Sequence, residues 1–254
     1  MLTRSRRRLL TAIAALAIVS TPVAAQPAGL IVSVAASVYD SLEEISTLYR
    51  AQTGVAVALN AGGSNMLARQ IVEGARAGLF LSADERQMDV VEKAGRIVAG
   101  TRTRLLTNEL AVIVPADSRD LTVDRLMRGE VRRLALGEPG AVPAGVYARR
   151  WLERQGAWSR LESKVVPFPT VTAVLSAVDS GRVDAGVVYR TDAMSSKTVR
   201  VIANVSAKDH PYLDIGYPAA VIAGPSEAEA RRFLQFLQGA AARAVFDRRG
   251  FGKP

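Results

Sequence analysis

Apolar residues along the chain alternate between short continuous runs and longer segments of helical spacing. The run LIVSVA at 30–35 is typical of a buried parallel strand. Residues 39–50 place apolar side chains three to four positions apart, as an amphipathic helix does. Further strands are predicted at 54–59 and 79–82, and further helices at 65–75 and 85–93. This strand–helix alternation predicts a doubly wound α/β sheet with right-handed crossovers.

A second α/β stretch follows in the same manner. Its predicted strands lie at 110–114, 134–136, 164–166, 185–189 and 199–205, with helices at 145–155 and 172–179. An apolar run at 217–223 and helices at 226–238 and 240–248 follow, and we expect this C-terminal segment to return to the first α/β stretch. No linker rich in Pro, Gly and Ser separates two independent domains.

This order predicts an α/β bilobal protein whose backbone crosses between the lobes more than once. We place lobe I at 26–110 and 218–254, and lobe II at 111–217. In such an arrangement a ligand binds in the cleft between the lobes, at the carboxyl ends of the strands.

The first 25 residues have the pattern of an export signal. Arginines at 4, 6, 7 and 8 precede an apolar run at 9–19, and the small residues Val23-Ala24-Ala25 suit a signal peptidase. We expect cleavage after Ala25 and delivery to the periplasm, by the Sec route or by the twin-arginine route. The apolar run is too short to span a membrane well, although an uncleaved anchor is the alternative.

Composition excludes several kinds of site. Cysteine is absent, so the chain has no disulfide, no thiolate metal site and no cysteine nucleophile. The single histidine, His210, argues against histidine-based catalysis. The formal net charge is +9; without the four arginines of the leader, the 33 basic residues become 29 against 24 acidic ones, or +5. The basic residues are scattered along the chain, so nucleic-acid binding is not expected.

Short segments of small or polar residues precede four of the predicted helices. They lie at 35–37, 62–64, 143–145 and 169–171. A helix start has backbone N–H groups without intrahelical partners and the positive end of the helix dipole, so it can bind an anion without a charged side chain. Several such starts converging on one cleft would form a pocket for a small oxyanion. Alternatively, Ser37 and Ser64 are only helix caps. Gly62 and Gly63 could form a plain turn, and Tyr189 could be a core residue.

Six motifs occur along the chain in a characteristic order and spacing. They are Ala35-Ala36-Ser37, GGSNMLARQI at 62–71, LFLSAD at 79–84, VPAGVYA at 142–148, GVVYRTDA at 186–193 and Gly250-Phe251. In these motifs the chain resembles the periplasmic molybdate-binding proteins of ABC transporters, over nearly all of the sequence after the leader. The resemblance implies a type II periplasmic-binding-protein fold that closes on a tetrahedral oxyanion.

The same resemblance implies which residues bind the ligand. In the family, two serine hydroxyls, several backbone N–H groups and a tyrosine hydroxyl hold the anion. Carried over by motif, these residues are Ser37, Ser64, Ala144, Val171 and Tyr189. The metal atom is contacted only through the oxygens of molybdate, so no direct metal ligand and no cofactor is expected. The two serines would belong to one lobe and the other three residues to the second.

The function implied is that of an exported, monomeric binding protein, not an enzyme, that captures molybdate or tungstate and delivers it to a membrane permease. Asn65 and Met66 stand where the family commonly has smaller hydroxyl residues, which could change the preference among oxyanions. A binding protein for sulfate or phosphate is one alternative; it predicts charged side chains at the four junctions, and none is evident. An exported hydrolase is another, without a Gly-x-Ser-x-Gly, His-Glu-x-x-His or Walker motif to support it.

Overall fold

The structure, a computed structural model, describes residues 29–254. The predicted export signal at 1–25 lies outside this range. Between residues 29 and 254, no helix is both long enough and apolar enough to cross a membrane.

Ten strands and ten helices occur along the described residues. The strands are β1 (Leu30–Ala35), β2 (Val57–Gly62), β3 (Leu79–Leu81), β4 (Thr103–Asn108), β5 (Leu110–Pro115), β6 (Leu134–Gly137), β7 (Val165–Phe168), β8 (Ala185–Tyr189), β9 (Val199–Val205) and β10 (Ile215–Val221). The helices are α1 (Tyr39–Thr53), α2 (Ser64–Val72), α3 (Glu85–Lys93), α4 (Val123–Met127), α5 (Pro143–Arg154), α6 (Trp158–Leu161), α7 (Val171–Asp179), α8 (Arg190–Ser195), α9 (Glu227–Gln238) and α10 (Ala240–Arg248). Two 3₁₀ turns, Ala36–Val38 and Glu162–Lys164, precede α1 and β7.

The strands form two five-stranded sheets of the same design. The first has the order β2-β1-β3-β10-β4, and the second β7-β6-β8-β5-β9. In each sheet the first three strands run parallel to one another, and the last two add antiparallel pairings. The predicted α/β fold of two lobes is therefore confirmed.

The chain passes between the sheets at two places. Asn108 ends β4 in the first sheet, and Leu110 begins β5 in the second. The return lies between Val205, which ends β9, and Ile215, which begins β10. The lobe boundaries at 110/111 and 217/218 stay a prediction beside these observed crossings.

Several element bounds differ from the prediction. The first helix continues to Thr53 because Gly54, in the left-handed region at φ 75°, ends it. The strand predicted at 54–59 consequently lies at 57–62, where it pairs in register with β1 from Leu30 opposite Val57 to Ala35 opposite Gly62. Strand β4 and helices α4, α6 and α8 were not predicted, because these segments are short or mix polar with apolar residues.

Helices cover both faces of the first sheet. Leu79 and Leu81 of β3 belong to the main apolar core, whereas Phe80 between them packs with α2 and α3 in a second cluster. This alternation is the period-two pattern of a strand with two buried faces. Parallel strands covered in this way have their carboxyl ends at one edge of the sheet. The junctions at 35–37 and 62–64 follow β1 and β2 at this edge, and those at 143–145 and 169–171 follow β6 and β7 of the second sheet.

Gly145 allows α5 to pack directly against the end of β6. A β-carbon at this position would overlap the carbonyl oxygen of Gly137, a backbone atom that cannot move away cheaply. The close approach brings the first turn of α5, with Ala144, to the end of the sheet. Here glycine is required by space, since its backbone conformation is that of an ordinary helix.

We predict that Gly145→Ala lowers the thermal unfolding midpoint, although alanine is the better helix former by about 1 kcal/mol. The overlap with Gly137 should cost about 1–3 kcal/mol more than this gain, and each kcal/mol of net loss lowers the midpoint by about 2–4 °C in a domain of this size. Thermal unfolding followed by circular dichroism measures the change. Gly224→Ala is the matched control, because a β-carbon at Gly224 meets no atom within 4 Å. A midpoint at or above that of the wild type would contradict the packing argument.

Candidate functional site

All five residues predicted to bind a ligand line one small cavity between the two sheets. Its lining comprises Ala35, Ala36, Ser37, Gly62, Gly63, Ser64, Ala83, Val142, Pro143, Ala144, Thr170, Val171 and Tyr189. The cavity is small, about 20 Å³, so a bulky organic ligand does not fit. Asn65 and Met66, which depart from the family pattern, are not among the lining residues.

Ser64 is held by a hydrogen bond from the neighbouring loop. It is the first residue of α2 and is only 1% exposed. The N–H of Ala83 donates to Ser64 Oγ at 2.9 Å. The helix cap is Gly63, and no side chain caps this helix, so the interpretation of Ser64 as a plain cap is wrong. Because Oγ already accepts a hydrogen bond, the single hydroxyl hydrogen is available to another acceptor.

Ser37 lies in the 3₁₀ turn that joins β1 to α1. Its Oγ is 3.1 Å from the Oη of Tyr217, and no side chain caps either the turn or α1. The cap interpretation is therefore wrong for Ser37 as well. The register of β1 with β2 brings this turn beside the start of α2, since Ala35 and Gly62 are direct partners. The two serines thus lie at adjacent strand ends of the first sheet.

The second sheet contributes the starts of α5 and α7. In α5 the N–H of Val146 bonds to the carbonyl of Val142 at 2.9 Å, so the N–H of Ala144 lies before the first intrahelical bond. In α7 the hydroxyl of Thr170 accepts from the N–H of Ala173 at 3.1 Å, and the N–H of Val171 lies ahead of it. Both helix starts therefore present backbone donors and a positive dipole end to the cavity.

Tyr189 closes the cavity from the end of β8. Its Oη is 3.4 Å from the carbonyl oxygen of Ala83, to which it donates a long hydrogen bond across the cleft. Its ring packs edge-on against Tyr217, with centroids 5.6 Å apart. Burial raises the pKa of Tyr189 well above 10, so the hydroxyl keeps its proton and donates it to Ala83 in this arrangement. Tyr189 is thus a buried residue and a lining residue at once.

Two buried carboxyl groups lie next to cavity residues but do not line the cavity. Asp84 accepts from the N–H of Gln87 at 2.9 Å, and Asp192 from the N–H of Tyr189 at 3.2 Å. Burial raises the pKa of Asp84 to about 6 and that of Asp192 to about 8. Both carboxyls are engaged with helix starts, which leaves the cavity wall itself without an acid.

Charged side chains line the larger space beside the cavity. This second cavity, of about 390 Å³, shares Ala36, Ser37, Gly62 and Thr170 with the small one and is also lined by Asp40, Asp192 and Arg249. Within residues 29–254, no group of three or more His, Cys, Asp or Glu side chains could hold a metal ion. In the small cavity the polar groups are therefore hydroxyls and the backbone.

Three residues of this region were not found by sequence reasoning. Asn108 donates from Nδ2 to Thr191 Oγ1 at 2.9 Å and to Tyr217 Oη at 3.1 Å, which connects β4, α8 and β10. Tyr217 lies in a run whose apolar character indicated only a core strand. Its partners are 109 and 180 positions away in the sequence, so no local pattern could have paired them.

The comparisons with known proteins agree with this architecture. Residues 30–252 match the family model described as bacterial extracellular solute-binding protein. The molybdate-binding protein ModA of Escherichia coli is 38% identical over 225 residues, which cover 85% of this chain and 86% of that protein. ModA of Haemophilus influenzae is 32% identical over 234 residues, which cover 89% of this chain and 91% of that protein.

A solved structure supports the fold independently. The periplasmic molybdate-binding protein of Azotobacter vinelandii superimposes with a TM-score of 0.77 at 24% identity, over 89% of this chain and 99% of that one. From the family match and the identity to the two ModA proteins, the chain belongs to the bacterial extracellular solute-binding proteins.

Proposed function

We propose that this protein captures molybdate, and equally tungstate, in the cavity between its two sheets and delivers it to an ABC permease. The observation that carries the proposal is the wall of that cavity. Ser37 and Ser64 contribute hydroxyl groups, the helix starts at Ala144 and Val171 contribute backbone N–H donors, and no lysine, arginine or carboxylate is among the lining residues. The names of the relatives, molybdate-binding proteins at 32–38% identity, support the same ligand.

The direction of the hydrogen bonds determines which anions suit this wall. A backbone N–H can only donate, and Ser64 Oγ already accepts from Ala83, so it too offers a donor. A fully ionised oxyanion accepts from all of them, with bonds roughly twice as strong as neutral ones. Hydrogenphosphate carries an O–H that would face donors and leave buried groups unpaired, at a cost of about 1–3 kcal/mol for each group. The wall therefore favours molybdate over phosphate.

Size supplies the second filter. A rigid set of donors fits a tetrahedron of one radius, and a smaller anion such as sulfate leaves some donors without partners. Molybdate and tungstate have nearly the same radius, so the cavity does not separate them. No metal ligand is needed, because the protein contacts only the oxygens.

The contacts around the cavity belong to a closed arrangement of the lobes. A β-carbon at Gly63 would lie 2.8 Å from the carbonyl oxygen of Pro169, so the two loops touch at this glycine. Tyr189 reaches Ala83 from the opposite sheet. We infer that the lobes, 26–110 with 218–254 and 111–217, open about the two crossings to admit the anion. Contacts of the anion with both lobes then favour closure.

The remaining parts of the proposal follow from this role. The protein is exported through its leader, by the Sec or the twin-arginine route, and works in the periplasm as a monomer. It binds and releases its ligand without chemical change, so it is not an enzyme. The closed lobes present a composite surface to the permease.

Isothermal titration calorimetry on the mature, ligand-stripped protein tests the ligand directly. We expect one-to-one binding of molybdate and of tungstate, with sulfate and phosphate at least ~100-fold weaker, because each leaves buried donors unpaired or misfitted. Preference for sulfate or phosphate would mean that the site takes another oxyanion. Silence with all four would remove oxyanion capture as the function.

Ser37→Ala and Ser64→Ala should each weaken molybdate binding by about 1.5–3 kcal/mol, the value of a hydrogen bond to a charged partner. This corresponds to roughly 10- to 150-fold in Kd. The same calorimetric titration measures it. Ser46→Ala is the matched control, because Ser46 is a buried serine of α1 whose Oγ has no hydrogen-bond partner among the described residues. Unchanged affinity in both site variants would contradict the assignment of the donors.

A further inference from the structure

We propose that Tyr217 is a positioning residue: held by Asn108, it directs the hydroxyl hydrogen of Ser37 toward the bound anion. The proposal rests on the proposed function, since it concerns how one donor of the oxyanion cavity is oriented. Tyr217 does not line that cavity and would act only through Ser37. Three side chains, from β4, β10 and the turn after β1, form the chain of hydrogen bonds.

The amide of Asn108 has only one possible orientation. Its Oδ1 accepts from the N–H of Glu109 at 2.9 Å, a bond that the reversed amide could not make. The Nδ2 group therefore faces Tyr217 Oη at 3.1 Å and Thr191 Oγ1 at 2.9 Å. Because an amide NH₂ has two hydrogens and no acceptor, it donates to both hydroxyls.

Among residues 29–254, Ser37 Oγ and Asn108 Nδ2 are the two side-chain hydrogen-bond partners of Tyr217 Oη, and only Ser37 can accept its hydrogen. The phenol oxygen accepts from Asn108, so its own hydrogen is directed to Ser37 Oγ, 3.1 Å away. Ser37 Oγ is thereby an acceptor toward Tyr217, and its single hydrogen is available to the cavity. Bonds run from Asn108 to Tyr217 to Ser37 to the anion, each donating to the next.

Ser64 reaches the same state by different means. There the donor is the backbone N–H of Ala83 at 2.9 Å, which can never act as an acceptor. Each serine of the cavity thus receives a hydrogen bond from the protein and has its hydrogen left for the ligand. The N–H of Ala83 and the hydroxyl of Tyr217 thus have the same effect: each makes its serine oxygen an acceptor toward the protein and leaves the serine hydrogen for the anion.

Packing holds Tyr217 in place. The residue has no exposed surface, and its ring lies edge-on between Tyr189 and Phe251, with centroids 5.6 and 5.5 Å away. Burial raises the pKa of the phenol well above 10, so the hydroxyl does not lose the proton it donates. The same chain of bonds joins the first sheet to Thr191 of α8, beside the crossing at Asn108.

A double-mutant cycle separates positioning from mere packing. Tyr217→Phe keeps the ring and removes the bond to Ser37, and we expect molybdate to bind about 3- to 10-fold more weakly, the loss of one neutral hydrogen bond. In the Ser37→Ala background the same change should have no further effect on Kd. Tyr49→Phe is the matched control, because Tyr49 is a buried tyrosine of α1 that donates to Glu229 and neither residue lines the cavity. Loss of this hydrogen bond should leave the affinity for molybdate unchanged.

Asn108→Asp tests the direction of the chain of bonds and serves as the second variant if Tyr217→Phe does not fold. A carboxylate accepts the hydrogen of Tyr217, so Ser37 has to donate its own hydrogen to the phenol oxygen. That hydrogen is then no longer available to the anion. The expected weakening approaches that of Ser37→Ala and largely disappears in the Ser37→Ala background, whereas a simple effect of the added charge would persist there.

The outcomes distinguish this proposal from the proposed function. A wild type that does not bind molybdate overturns the proposed function and, with it, the role of Tyr217. Normal wild-type binding, together with losses that add fully in the Ser37→Ala background or with no loss in either variant, overturns the role of Tyr217 alone. Non-additive losses with an unaffected Tyr49→Phe support it.

Discussion

The polarity of a few hydrogen bonds is the constraint on which this structure depends. A hydroxyl has one hydrogen, and a protein that is to bind an oxyanion without a cation has to direct that hydrogen at the ligand. Ser64 is directed by the N–H of Ala83, and Ser37 lies within reach of Tyr217. Backbone N–H groups at helix starts need no such direction, since they can only donate. The proposed selectivity follows from this uniform polarity rather than from charge.

The arrangement of the two sheets brings these hydrogen-bond donors together in one cavity wall. Two sheets of the same order place the carboxyl ends of their parallel strands at facing edges. Pairing of Ala35 with Gly62 brings the two serine-bearing turns together, and Gly145 lets α5 approach the end of β6. Gly63 and Pro169 then meet across the cleft. Backbone geometry at the helix starts, together with the buried side chain of Tyr189, thus determines the size of the cavity, and the proposed discrimination by size depends on it.

Much of this was predictable from the sequence because the relevant signals are local. Continuous apolar runs marked β1, β5 and β8, and helical spacing marked α1 and α2, since burial imposes these periods on neighbouring residues. The four junctions were visible as small residues ahead of helices, and the family resemblance selected Ser37, Ser64, Ala144, Val171 and Tyr189, which the structure brings to one cavity. Tyr217 and Asn108 were missed because their role depends on contacts between residues more than 100 positions apart. Tyr217 also lies in an apolar run, which indicates a core strand and not a site residue. The start of β2 was misplaced because a single glycine, Gly54, determines where α1 ends.

The most direct test of the central claim is a crystal structure of the protein with tungstate, in which anomalous scattering locates the tungsten atom. The account predicts one tungsten atom in the small cavity, its oxygens about 2.7–3.1 Å from Ser37 Oγ, Ser64 Oγ and the N–H groups of Ala144 and Val171. Tungsten held elsewhere, or by lysine or arginine side chains, would contradict it.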